Sequence, residues 1–170
     1  MAAILTYDIT YQKSFEEMEN YWYEQIKLYC NKDIVLAVVA NKSDLYEQGQ
    51  VEYDAGEKFA KEIGAIFVST SAKNDIGIQE LFKNISRKIF DTDFDFSPPE
   101  QKKRDDFKNK KEEDTKQVVN KIIILGEPDV GKKSIETCII NRNFEPGKQS
   151  LKDKFNRKTI EFFKWKIHHF

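Results

Sequence analysis

The sequence predicts an α/β fold, a mostly parallel sheet flanked by helices. Three observations carry this expectation. The first ninety residues alternate short apolar strand patterns with amphipathic helical ones, as βαβ units do. Ile34 to Ala40 is a run of seven apolar, largely β-branched residues, the pattern of a strand buried on both faces. Gly126 to Lys132 joins an apolar strand pattern to a helical one through a turn bounded by glycines.

Taken in order, Ala2 to Asp8 reads as the first strand. Ser14-Phe-Glu-Glu17 matches a capping box, opening a helix whose inward face is Phe15, Met18, Trp22, Ile26 and Tyr29. The buried strand Ile34 to Ala40 follows. Asp54-Ala-Gly-Glu57 caps a second helix carrying Phe59, Ala60 and Ile63, and Gly64 is its C-terminal stop before the strand Ala65 to Ser69. Ile78, Leu81, Phe82, Ile85 and Ile89 form the stripe of a third helix. Residues 91–117 break the pattern with Pro98-Pro99 and 16 charged residues in 27, and read as a flexible, solvated linker. The alternation then resumes in the segment 118–170. It holds a strand Val118 to Leu125, a helix Lys132 to Asn141 with Ile135, Cys138 and Ile139 inward, and a strand pair Lys158–Phe162 and Lys166–Phe170.

Composition bounds the function classes. With 170 residues and a net charge of −1, the chain is one soluble domain's worth of sequence. Its longest apolar run is far short of the roughly 20 residues a membrane-spanning helix needs. No basic leader precedes Asp8, so a cytoplasmic protein with reduced core thiols at Cys30 and Cys138 is expected. The charge balance is a cancellation: residues 1–90 carry 10 basic and 14 acidic groups, the linker 7 and 9, and residues 118–170 carry 11 and 6. The basic third suits a phosphate-bearing partner or the acidic first part of the chain itself. The linker's acidic surplus argues against a nucleic-acid arm. His168 and His169 are adjacent on a strand pattern and point to opposite faces, so no metal site is expected there.

Two sets of residues carry chemistry. Gly126-Glu-Pro-Asp-Val-Gly131-Lys132 has the strand-to-helix context of a phosphate-cradling P-loop: glycines let the backbone wrap tightly, amides face the anion, and Lys132 adds a point charge. Where the pattern needs a Ser or Thr hydroxyl for Mg²⁺, this chain has Lys133, and Ser134 lies about 100° further round the helix. Asn41-Lys42-Ser43-Asp44 sits at the carboxyl end of the buried strand, where open parallel sheets bind ligands. A buried carboxylate at Asp44 accepts guanine's N1–H and N2–H, which adenine cannot offer; as bare turn formers, Asn and Asp also suit an ordinary strand exit. Ser71-Ala72-Lys73 ends the next strand on the same edge.

These residues resemble the Rab-like branch of the small GTPases, with a P-loop NTPase-type sheet. Residues 1–90 look like the second half of that fold, through Tyr7-Asp8-Ile9-Thr10, Asn41-Lys42-Ser43-Asp44, Phe59-Ala60-Lys61 and Thr70-Ser71-Ala72-Lys73. Residues 118–170 look like the first half, so the halves stand in reversed order. The resemblance implies GTP or GDP as ligand, with Asn41 and Asp44 on the guanine, Lys42 along its ring and the Ala72 amide at its oxygen. It assigns Ser71 and Lys73 to the same base loop, and Gly126, Asp129, Val130, Gly131, Lys132, Lys133 and Ser134 to the phosphate side. Phe144 falls where the family covers the base with an aromatic, and reads equally as a core Phe after a helix. Rab-type effectors or regulators are the implied partners, at endomembranes through a partner, since no terminal Cys offers a prenyl anchor.

The departures cluster on the metal. No Asp in the chain has Gly three positions later, so the family's Asp-x-x-Gly and second switch are missing. Allowing one deletion, Ser150 falls where a Thr ligates Mg²⁺. Mg²⁺ binding and GTP hydrolysis are therefore expected to be impaired, with no catalytic residue identified. A 27-residue coil spans about 29 Å, enough to join the last helix to the P-loop strand of one permuted domain. Truncated tandem copies, an incomplete gene model, or a pseudo-GTPase interaction module without turnover are the alternatives.

Overall fold

β1 (Ala2–Asp8) is seven consecutive buried residues at the inside of a four-stranded sheet. The computed structural model describes residues 1–90 and 120–141, all within one unit of the chain. β1 runs parallel to β2 (Val35–Asn41) in register Ala2↔Val35 through Asp8↔Asn41. On its other side it runs parallel to β4 (Ile122–Leu125), from Ala2↔Ile122 to Leu5↔Leu125. β3 (Ile66–Ser69) pairs in parallel with β2, giving the order β3-β2-β1-β4. The expected parallel α/β sheet is the one observed among the described residues.

Parallel strands need a long crossover connection, usually helical. Between β1 and β2 that crossing is α1 (Gln12–Glu17), a π-helical turn Met18–Trp22 and α2 (Tyr23–Tyr29). α3 (Tyr53–Glu62) connects β2 to β3, after a 3₁₀ turn Ser43–Gln48. α4 (Ile78–Phe90) follows β3, and α5 (Lys132–Asn141) follows β4. Side chains alternate across β1. Ala3, Leu5 and Tyr7 join Phe15, Met18, Val38 and Phe59 in one apolar cluster, with Tyr7 and Phe15 edge to face at 4.9 Å. α4 packs on β2 and β3 and against α5, burying Ile78, Leu81, Ile85, Ile135 and Cys138.

Several sequence expectations need correction. Ser14 does not cap a helix: α1 begins earlier, and the Ser14 hydroxyl donates to the Tyr11 carbonyl at 2.7 Å while accepting the Asp8 amide at 3.0 Å. Buried next to the end of β1, the hydroxyl found nearer partners than the box supplies. Asp54 likewise lies inside α3, whose N-cap is Glu52 with no side-chain cap bond. Tyr29 is 81% exposed rather than inward, and Cys30 is the half-buried residue that ends α2. Cys138 is the buried free thiol expected. Gly64 does stop α3: at φ 67° its amide bonds the Lys61 carbonyl and the Ala65 amide bonds Ala60, a Schellman motif. The linker 91–117, the strand pair at 158–170, Phe144, Ser150 and the two histidines lie outside the described residues.

Candidate functional site

Because all four strands are parallel, their carboxyl ends open at one edge of the sheet. The segments that leave them there begin at Ile9, Lys42, Thr70 and Gly126. Both residue sets singled out in the sequence thus come to one edge.

The phosphate-side loop is shaped by close backbone approach. A Cβ on Gly126 would run into the Thr6 carbonyl, and one on Gly131, at φ 93°, into the Asn41 side-chain amide. Asp129, at φ 63°, takes a left-handed turn between them. The amides of the first turn of α5 have no intrahelical acceptor and face the loop. The Lys132 ammonium lies across the loop, donating to the Gly126 carbonyl at 2.9 Å and the Glu127 carbonyl at 2.6 Å. Burial lowers the Lys132 pKa, and the Glu127 and Asp129 carboxylates oppose that shift. Pro128 offers no N–H to an anion. Val130 is buried, Ser134 half-buried and Lys133 exposed.

The base-side loops are tied to this loop by one residue. Asn41, 1% exposed, donates from Nδ2 to the Val130 carbonyl at 2.7 Å and accepts the Thr70 hydroxyl on Oδ1 at 3.0 Å. One N–H and one carbonyl lone pair of its amide thereby hold three segments together. Lys42, at φ 62°, turns its ammonium back onto the buried Asp8 carboxylate at 2.6 Å, and Asp8 also accepts the Thr10 amide and hydroxyl. The Asp44 carboxylate accepts the Ser71 hydroxyl at 2.6 Å, with Lys73 Nζ at 3.9 Å from its other oxygen. Ala72 is buried beside it. Lys73 is itself largely exposed.

Residues 1–91 match the family model described as Ras family. The chain belongs to the Ras family. Among curated relatives of this Ras-family chain, Ras-related protein Rab-31 of Mus musculus is 44% identical over 88 residues, covering 52% of the chain and 45% of the relative. Ras-related protein Rab-22A of Homo sapiens is 44% identical over 92 residues, covering 54% and 47%. The chain spans about half the length of the curated relatives it matches. Its α/β sheet and these likenesses make it a Rab-like small GTPase by family.

The donor chemistry separates the two ligands the family implies. The glycine-lined loop, the helix N-terminus and Lys132 fit a phosphate group. At position 133, where the loop pattern needs a hydroxyl for Mg²⁺, stands an ammonium, which cannot ligate a cation. No described helix is long and apolar enough to cross a membrane. A surface hollow of about 630 Å³ lies between α3 and β3, lined by Asp54, Lys58 and Phe67 among others, away from the strand ends that carry the motifs.

Sequence reasoning missed Thr70, Asp8 and Trp22. Thr70 and Asp8 lay inside quoted motifs, but only the fold shows that each bonds a neighbouring motif residue. Trp22 read as core, yet its indole N–H donates to the Glu127 carboxylate at 3.0 Å.

Proposed function

We propose that the chain binds guanine nucleotide in one pocket assembled from two sequence pieces in reversed order, and that it turns GTP over poorly. The observation that carries this reading is the Asn41 amide, which spans 89 residues of sequence to Val130 and 29 to Thr70. One side chain thus couples the phosphate loop to both base loops, as a shared ligand requires.

In this reading the Asp44 carboxylate, steered by the Ser71 hydroxyl, accepts N1–H and N2–H of guanine and meets only a lone pair at N1 of adenine. The Lys42 stem lies along the ring while its ammonium stays on Asp8, and the Ala72 amide meets the base oxygen. Asn41 holds the loops together with one N–H and one lone pair, and its second N–H is left to contact the base. Amides from Asp129 to Lys133, with the Lys132 ammonium and Ser134 beside them, hold the phosphates. Lys133 stands where the pattern puts the Mg²⁺-ligating hydroxyl, so turnover is expected at or below that of an unassisted small GTPase, and insensitive to Mg²⁺. The Rab likeness supports vesicle traffic as the setting, with effector or regulator proteins as partners.

The test is competition for a fluorescent GDP analogue. GTP and GDP should displace it and ATP should not, and Asp44→Ala should weaken GDP by about tenfold or more while narrowing the gap to ATP. Equal displacement by ATP and GTP sinks the base assignment. A second reading, an interaction module that holds no nucleotide, is favoured by the Glu127 and Asp129 carboxylates and Pro128 inside the loop. Folded, nucleotide-free protein that ignores GDP would establish it.

A further inference from the structure

Glu127 presents a difficulty for an anion-binding loop. It places a carboxylate one peptide from Gly126, close enough for its charge to act on Lys132. A carboxylate able to swing onto that ammonium would neutralise the loop's cation. Among the described residues, however, no ion pair joins the two: Lys132 bonds the Gly126 and Glu127 carbonyls, and the Glu127 carboxylate bonds the Trp22 indole at 3.0 Å. Trp22 lies 105 residues away in sequence and ends the π-helical turn Met18–Trp22. A π turn takes up an extra residue and resets the phase of the helix face, a device common beside functional sites. Here it leaves Met18 and Ile26 buried in the core with Trp22 between them, half-buried, at the loop.

We propose that Trp22 is a positioning residue for the phosphate site: its indole N–H holds the Glu127 carboxylate away from Lys132, keeping the ammonium available to phosphate. This rests on the nucleotide-binding reading above and specifies how its phosphate half is kept competent. The effect belongs to phosphate alone, because Trp22 touches nothing on the base side that the structure records.

Trp22→Phe keeps an aromatic ring and removes the N–H donor. GDP affinity should fall about tenfold, while guanosine, which has no phosphate, should bind unchanged. The double variant Trp22→Phe/Glu127→Gln should return GDP affinity to within about twofold of the parent, since no carboxylate is left to capture Lys132. A purely structural role for the ring would weaken GDP and guanosine together and would not be rescued. Unchanged GDP affinity in Trp22→Phe, or a double variant as weak as the single one, overturns the positioning role while leaving nucleotide binding intact. A parent chain that binds no GDP overturns both. If Trp22→Phe does not fold, the N–H can be removed with the bicyclic shape kept. In a Trp165→Phe background Trp22 is the lone indole, and replacing it with β-(3-benzothienyl)alanine leaves the ring without its N–H donor. GDP affinity should again fall about tenfold with guanosine unchanged, and unchanged GDP affinity overturns the role.

Discussion

The Tyr7 hydroxyl is buried with no hydrogen-bond partner among the described residues, pressed against Gly56, where a Cβ would collide with it. Burial first, then the charges of Tyr53 and Glu19, push its pKa up, so it stays a neutral phenol. An unsatisfied buried hydroxyl costs about 1–3 kcal/mol, and removing it returns part of that. Tyr7→Phe should match or exceed the parent in stability by up to about 1 kcal/mol, read as a higher urea midpoint at unchanged slope. Glu19 has the same kind of cost in ionic form. Burial, then the Glu62 and Glu16 carboxylates, raise its pKa above the ordinary 4.5. The native state therefore holds a proton that the unfolded chain has released, and the stability this gives below 4.5 is lost as pH rises through the raised native value. Glu19→Gln should flatten that part of the stability–pH curve and add about a few tenths of a kcal/mol at neutral pH, discounted for solvent screening. Denaturation midpoints across that window measure it.

At the level of elements, the Schellman turn after α3 isolates a backbone effect. Nothing lies within 4 Å of a Cβ built on Gly64, so Gly64→Ala tests only the positive φ. A loss of about 1 kcal/mol is expected in thermal or urea unfolding, against no loss if crowding were the reason for glycine. This stop was legible because a glycine after an apolar stripe has a local cause. The caps expected at Ser14 and Asp54 were not: the Ser14 hydroxyl bonds the partners the tertiary fold brings nearest, and α3 starts one residue before Asp54. The phase of the first crossing was lost for a related reason. Uniform helical spacing assigned Tyr29 to the core, whereas the π turn inserts a residue that the spacing does not contain. Of the candidate site, Asp44 and the glycine-bounded loop could be read from residue type and context. The Asn41 tie and the Trp22 contact needed the parallel sheet, since each joins residues far apart in sequence.

At the scale of the molecule, the β1–β4 pairing joins the two sequence pieces in one sheet, so they are expected to unfold together. Cys138 reports on this: it is buried, donates to the Asp75 carboxylate at 3.0 Å, and burial with that bond pushes its thiol up to about 12. In a Cys30→Ser background, maleimide labelling of Cys138 should begin only at the urea concentration where far-UV circular dichroism collapses. Labelling at clearly lower urea would show that β4 and α5 detach before the rest melts. The order in which the sheet is made adds a consequence for synthesis. β1 leaves the ribosome about 120 residues ahead of its neighbour β4, which at roughly 5–20 residues per second leaves one side of a largely apolar strand unpaired for several seconds or longer. An open strand edge of that kind is a template for other chains. The nascent protein therefore has a window of aggregation risk that closes when β4 docks, and chaperone demand should concentrate in that interval.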